Sequence, residues 1–205
     1  MRRRWTATPD DSAIKATLKA ITRRGINVVF VKNRVEALAK LTELIPKGAE
    51  VMTGSSTTLE EIGFNNYLRS HVHGWRSLNE EIRMENDSAK RQEIRRRAVT
   101  AEYFLGSVNA ISRDGELVAC DKTGSRVGAY PFAAKKLLLI AGAQKITANL
   151  EEAMRRVREY VYPLEDQRAM KATGTPSAPN KWVIIEGETN PDRITLILVR
   201  ERLGF

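Results

Sequence analysis

The sequence predicts an α/β domain in which a mostly parallel sheet is layered between helices and carries an antiparallel hairpin. Short apolar runs rich in β-branched residues alternate with stretches of helical periodicity, which is typical of parallel strands joined by helices. The run LLLI at 137–140 is continuous and apolar, as in a central strand covered on both faces. A chain of 205 residues can bury a full core, so we expect a single domain over residues 1–205.

Helices are predicted where apolar side chains recur at helical spacing after a capping residue. Asp10 or Asp11 caps the first, Gly25 ends it, and Asn33 caps the second. Thr57 or Thr58 begins a third. The densely charged stretch 79–99 indicates one surface helix with interleaved ion pairs. The predicted helical ranges with defined limits are 10–24, 34–45, 79–99 and 149–160.

Strands are predicted for the short apolar runs between these helices. Segments 103–111 and 116–120 flank Asp114-Gly115 and predict a hairpin, because this dipeptide favours a tight turn. Near the end of the chain, 182–185 and 194–199 predict a closing strand pair. The remaining predicted strands are 28–31, 49–52, 75–78 and 137–140.

Charge and composition narrow the classes of function. The formal net charge is +9, of which +7 lies in residues 1–34, so the excess belongs to a basic amino-terminal arm and helix at 1–25. Aromatic residues do not interleave with these charges, which does not favour nucleic-acid binding. No apolar run predicts a membrane span or a signal region. The lone Cys120 excludes an intrachain disulfide and fits a reducing compartment. We expect a cytoplasmic protein.

Two polar loops follow predicted strands and could share one pocket. The first comprises Thr53, Gly54, Ser55, Ser56, Thr57 and Thr58. Its hydroxyl and amide groups suit a phosphate or carboxylate, although helix capping by one hydroxyl is the alternative. Four consecutive hydroxyl residues exceed what one cap requires, so anion binding is favoured. Glu61 is a candidate general base, against the plainer role of stabilising the helix dipole.

The second loop follows the predicted hairpin. Asp121 is a candidate catalytic carboxylate that could take a proton or orient a hydroxyl, and Arg126 could bind an anion through two hydrogen bonds. Asn109, on the strand entering the hairpin, would either bind a ligand or satisfy a neighbouring backbone group. The alternative for the loop is a turn with an Asp-Arg surface pair. The other candidate ligand-binding residues here are Thr123, Gly124 and Ser125.

Cysteine and histidine do not indicate further chemistry. Cys120 has no histidine near it in sequence, so a buried apolar role is favoured over a nucleophile. His71 and His73 have a spacing compatible with two metal ligands, but a third candidate ligand does not lie near them. We therefore expect neither a metal site nor a bound cofactor.

Several longer segments resemble, in order, the LUD domain of bacterial and archaeal lactate-utilisation proteins, including lactate utilisation protein C. The resemblance runs over about residues 14–205. The segments that carry it are TGSSTTLEEIGF (53–64), DSAKRQEIRRRAVTAEYFLGSVNAISRDGELVACDKTGSRVGA (87–129), KKLLLIAGAQKITANLEEAMRRV (135–157) and the ending ITLILVRERLGF.

This resemblance implies a fold similar to ribose-5-phosphate isomerase A, glucosamine-6-phosphate deaminase and coenzyme A transferases. It also implies a role near lactate oxidation, where such domains work with iron-sulfur partner proteins. Many single-domain relatives carry a cysteine cluster where this chain has KATGTPSAPN, at 171–180. We therefore expect no iron-sulfur centre in this chain and a flexible loop over that range.

Two functions follow as hypotheses. The first is an enzyme component of lactate and organic-acid oxidation that binds a small anionic organic acid, a phosphate-bearing metabolite or a thioester. The second is a non-catalytic scaffold or regulatory subunit that docks an iron-sulfur oxidoreductase through 79–97 or the basic amino-terminal helix. The sequence does not decide whether the protein is an enzyme or a homo-oligomer.

Overall fold

The computed structural model describes residues 2–205, with side chains from residue 4 onward. The helices are α1 (Arg2–Thr6), α2 (Asp11–Arg23), α3 (Arg34–Glu43), α4 (Thr57–Glu61), α5 (Phe64–Arg69), α6 (Leu78–Met84), α7 (Ser88–Arg97), α8 (Leu150–Arg156) and α9 (Tyr162–Thr173). The strands are β1 (Asn27–Val31), β2 (Glu50–Thr53), β3 (Arg76–Ser77), β4 (Tyr103–Gly106), β5 (Ala110–Ser112), β6 (Leu117–Asp121), β7 (Lys136–Gly142), β8 (Ile146–Thr147), β9 (Lys181–Ile185) and β10 (Ile194–Val199).

Six strands form a parallel sheet in the order β1-β10-β7-β4-β2-β3. The apolar run that predicted a central strand lies in β7, which pairs with β10 on one side and β4 on the other. Its residues from Leu137 to Ala141 are all buried. The prediction of an α/β fold with a mostly parallel sheet is confirmed.

The two faces of the parallel sheet are covered differently. Leu138 and Ile140 of β7 face a cluster that includes α3, α4 and α5. Leu137 and Leu139 face the opposite way, into a cluster shared by α2 and a second sheet. That second sheet has the order β8-β5-β6-β9, and α8 packs on its other side through Ala153 and the following Val157.

The hairpin belongs to this second sheet and is shorter than predicted. Only β5 and β6 pair across the Asp114-Gly115 turn, where Gly115 has a φ of +99°. Tyr103–Gly106 is a strand of the parallel sheet instead, because the chain changes sheets between Gly106 and Ala110. The predicted closing pair is also wrong. β9 pairs antiparallel with β6, whereas β10 lies between β1 and β7.

Two predicted helices differ from the observed ones. The single helix predicted over 79–99 is two, α6 and α7, because Asp87 caps a new helix by accepting from the amides of Ala89 and Lys90. The ion pairs expected there are present, including Arg97 with Glu81 at 2.8 Å. The helix predicted over 149–160 begins at Leu150 after its Asn149 cap and continues through a π-helical turn at Val157–Val161 into α9.

Helix α9 ends at Thr173, where Gly174 adopts a φ of +67° as its cap. The loop predicted over 171–180 therefore starts three residues later than expected.

Within residues 2–205, we find no helix with the length and apolar character needed to span a membrane.

Candidate functional site

A cleft of about 530 Å³ opens at the carboxyl ends of strands β2, β4 and β7. Ligands in parallel α/β sheets commonly bind outside this edge, where successive strands end in polar loops. Both loops singled out in the sequence line it: all of Thr53 to Thr58 on one side, and Cys120 to Thr123 with Ser125 and Arg126 on the other. The prediction that two loops share one pocket therefore agrees with the geometry. The π-helical turn and Phe205 complete the walls.

Lys145 forms the floor of the cleft and was not among the predicted site residues. It lies three residues beyond the end of β7 and is only 3% exposed. Its Nζ lies within hydrogen-bond distance, at 3.0 Å, of each of Thr58 Oγ1, Ser107 Oγ and the Val108 carbonyl. All three partners are uncharged, so the amine has hydrogen bonds but no counter-charge in direct contact.

The environment of Lys145 disfavours its ammonium form. Burial is the main cause that lowers the pKa of this amine well below its ordinary value of 10.5. The guanidinium groups of Arg156 and Arg126 lower the pKa further, and the Glu61 carboxylate acts in the opposite direction. The amine can therefore exchange a proton at a lower pH than an exposed lysine.

Arg126 lies in the cleft, but its guanidinium is largely occupied by the protein. It donates to the Cys120 carbonyl at 2.6 Å, to the Ser107 carbonyl at 2.9 Å and to Tyr130 Oη at 3.3 Å. Gly54 packs against its aliphatic part, where an added Cβ would lie 2.5 Å from Cγ. Arg126 thus ties the two loops together, in addition to any contact with a ligand.

The two predicted catalytic carboxylates both accept hydrogen bonds from backbone amides. Asp121 accepts hydrogen bonds from the amides of Gly124, Arg126 and Val127, which fixes the loop conformation. Glu61 is exposed, does not line the cleft, and accepts from the Gly204 amide at 2.7 Å. These contacts match the plainer alternatives for both residues, and a catalytic role of Asp121, which lines the cleft, stays a prediction.

Several of the predicted polar residues also form hydrogen bonds within the protein. Asn109 lines the cleft, and its Oδ1 accepts from the Cys120 amide at 2.8 Å, which is the backbone-satisfying alternative. Ser56 caps α4 by accepting from the Leu59 amide at 3.3 Å. Thr53 donates to Asn79 Oδ1 at 3.1 Å, and Asn79 was itself not predicted.

Three hydroxyls remain at the opening of the cleft. Ser55, Thr123 and Ser125 are exposed there, and Thr123 and Ser125 lie 2.9 Å apart. Thr57 also lines the cleft and is partly exposed, whereas Gly124 lies outside the lining. Thr123 Oγ1 also accepts from the Ser125 amide at 3.3 Å, so among these residues Ser55 has the hydroxyl least involved in the loop structure.

The buried position of Cys120 matches its plainer interpretation. Burial raises the pKa of the Cys120 thiol to about 11, which suits a small apolar residue rather than a nucleophile. His73 is buried between the Leu68 carbonyl and the Trp75 amide. Over the described part of the chain, His, Cys, Asp and Glu do not gather into any group of three that could hold a metal ion.

The comparisons with known proteins settle the family. The LUD domain model matches residues 14–199. The chain belongs to the LUD domain family. Membership supports a lactate-utilisation-type role at the level of the family.

Comparison with solved structures supports the fold of this LUD domain protein. It is similar to a DUF162 family protein from Deinococcus radiodurans, with a TM-score of 0.55 and 11% identity over 92% of this chain and 96% of that one. A weaker likeness to eIF2B beta from Chaetomium thermophilum has a TM-score of 0.34 at 14% identity, over 69% of this chain and 48% of that one. No match is found among curated proteins. The more specific likeness to coenzyme A transferases stays a prediction.

Proposed function

We propose that this LUD domain protein binds a small anionic organic metabolite in the cleft, as a component of lactate or related organic-acid oxidation. The observation that carries the proposal is the buried amine of Lys145, whose direct partners are all neutral. Burial without a counter-charge disfavours the ammonium form of this amine, and a carboxylate or phosphate bound in the cleft would supply the missing charge and favour that form.

The charged groups around the cleft support the same ligand class. Three acidic residues line the cleft: Asp121 is bound to backbone amides, Glu165 is paired with Arg168 at 2.7 Å, and Glu60 is exposed. Five basic residues line it as well: Arg95, Lys122, Arg126, Lys145 and Arg168. Arg95 lines the cleft from α7 and is exposed. With the exposed hydroxyls of Ser55 and neighbouring residues, the open end of the cleft can bind the polar groups of an organic acid.

The first experiment is titration calorimetry of the full chain with lactate, pyruvate, glycolate, inorganic phosphate, ribose 5-phosphate and acetyl-coenzyme A. We expect at least one anion to bind, and Lys145→Met to weaken that binding by about tenfold or more, because the variant removes a positive charge from the floor of the cleft. Lys15→Met is the matched control, because Lys15 is an exposed lysine of α2.

The thermal stability of the protein in the presence of each of these ligands gives a second measurement of binding. A ligand at about 100 times its dissociation constant stabilises the folded state by about 2.7 kcal/mol. The absence of binding by every anion would contradict the proposal. The alternative would then be docking of an iron-sulfur partner through α7, in which every side chain from Ser88 to Arg97 is at least partly exposed.

A further inference from the structure

The floor of the cleft holds two hydroxyls and one amine in mutual contact, an arrangement that anion binding alone does not require. Lys145 Nζ lies 3.0 Å from both Ser107 Oγ and Thr58 Oγ1, and the two hydroxyl oxygens are 3.3 Å apart. The three side chains come from the segments that follow β7, β4 and β2, and all three line the cleft. They form a compact triangle at the meeting point of three strand ends.

We propose that Ser107 is a nucleophile for acyl transfer, with Lys145 as its general base and small-acid thioesters or activated esters as substrates. The inference rests on the proposed function, because the acyl group would occupy the same cleft. A serine hydroxyl is a weak nucleophile unless an adjacent base accepts its proton, and a lysine amine can be that base. The distance of 3.0 Å lies within the range for such a proton transfer.

The hydrogen bonds around Lys145 can be satisfied completely by a neutral amine. The Val108 carbonyl can only accept, so it takes one N–H at 3.0 Å. The second N–H can be donated to Thr58 Oγ1. The nitrogen lone pair is then left for Ser107, whose O–H can donate to it at 3.0 Å in place of the Val108 carbonyl at 3.2 Å. This is the arrangement that a general base needs before the reaction.

The surroundings of the two hydroxyls favour Ser107 over Thr58 as the nucleophile. Thr58 is covered by the backbone of Gly204, where an added Cβ would lie 2.4 Å from Thr58 Oγ1. Ser107 carries an unbranched primary alcohol, and its own carbonyl is held by Tyr130 Oη at 3.0 Å and by Arg126. These contacts fix the backbone from which the hydroxyl projects.

The proposed reaction is balanced without a redox partner. Ser107 Oγ attacks the thioester carbonyl while its proton passes to Lys145 Nζ. The C–S bond then breaks, the thiolate takes that proton from the ammonium, and an acyl-serine ester remains. Water attacks this ester with Lys145 again accepting the proton, which returns to Ser107 Oγ as the carboxylic acid leaves.

The charged groups that face Lys145 are compatible with the role of a base. Arg126 and Arg156 disfavour the ammonium, Glu61 favours it, and burial is the largest influence on the pKa, which is lowered. A larger fraction of the amine is therefore neutral near neutral pH than in an exposed lysine. The rate of acylation should rise with pH to a plateau, since the neutral amine is the reactive form.

The test uses the full chain with p-nitrophenyl acetate and, separately, acetyl-coenzyme A. We expect a burst of p-nitrophenolate and an acetyl group on Ser107, located by peptide mass spectrometry. Ser107→Ala should abolish this adduct, and Lys145→Met should slow its formation by about a hundredfold or more, the usual effect of losing a general base. Ser12→Ala is the matched control, because Ser12 is exposed at the start of α2.

A second variant keeps the proposal testable if Lys145→Met does not fold. Ser107→Cys should still be acetylated at position 107, because a thiol there would occupy the same place. An acetyl group found on Lys145 or only on surface lysines, or a burst unchanged in Ser107→Ala, would overturn the inference. Anion binding without a Ser107 adduct would refute the acyl transfer alone and leave the proposed function intact. A Ser107 adduct without anion binding would refute the proposed function.

Discussion

Replacing Arg126 with alanine should cost folding stability as well as any affinity for a ligand. The guanidinium donates to the carbonyls of Cys120 and Ser107, at 2.6 and 2.9 Å. Hydrogen bonds to a charged donor contribute about 1.5–3 kcal/mol each. The Ser107 carbonyl keeps its bond from Tyr130, so the loss there is partial. We therefore expect the free energy of unfolding to fall by about 2–4 kcal/mol, a shift in Tm of roughly 5–15 °C for a chain of this size.

The assay is urea unfolding followed by tryptophan fluorescence, beside thermal unfolding by calorimetry. Arg95→Ala is the matched control, because Arg95 is an exposed arginine that lines the same cleft. Its unfolding free energy should change by less than about 0.5 kcal/mol, as for most surface substitutions. If Arg126→Ala lost less than about 1 kcal/mol while anion binding disappeared, the arginine would be a ligand-binding group first, and the structural interpretation would be wrong.

Three further predictions concern stability and reactivity. Gly204→Ala should destabilise the protein by about 1–3 kcal/mol in thermal unfolding, because the added Cβ would lie 2.4 Å from Thr58 Oγ1 and the residue has a φ of +64°. Gly128→Ala is the control and should leave the stability nearly unchanged, because its added Cβ would have no atom within 4 Å. Because the pKa of Lys145 is lowered, the unfolded chain binds more protons than the folded protein between that pKa and 10.5. The unfolding free energy of the wild type minus that of Lys145→Met should therefore rise as the pH increases toward 10.5. A difference that does not change with pH would contradict the lowered pKa. Cys120, with its pKa raised to about 11, should react slowly with iodoacetamide in the folded protein and quickly in urea, and equal rates would show an accessible thiol.

The sequence predicted correctly those helices and strands that depend on a capping residue or an apolar run within the element itself. Asp10 and Asn33 accept from amides three residues ahead, as their type and position indicated, so the beginnings of α2 and α3 follow from the sequence. The strand β7 follows from its unbroken apolar run. The pairing of strands was harder to predict, because an apolar run indicates that a strand is buried but does not indicate which strand lies beside it. β9 and β10 were paired with each other for that reason, although they lie in different sheets.

For the candidate site, the sequence predicted where the site residues lie better than what each of them does. The loops at 53–58 and 121–126 were found because each follows a strand, and the topology then brings both to one edge. The roles of Asp121 and Asn109 depend on which backbone amides the folded chain leaves without partners. Asp121 meets three such amides and Asn109 meets one, so side-chain oxygens of both residues accept from the backbone. Residue type alone did not contain that information.

Lys145 was missed for a different physical reason. A lysine after an apolar strand is usually exposed, since burying its charge is unfavourable, so its type argues against a buried site. Here the carbonyl of Val108 and the hydroxyls of Thr58 and Ser107 meet the amine at the ends of neighbouring strands and make burial tolerable. The signal present in the sequence was positional: Lys145 lies three residues beyond β7, at the same edge as both predicted loops. A polar residue just past a central strand should therefore be weighed as a site residue even when its type predicts exposure.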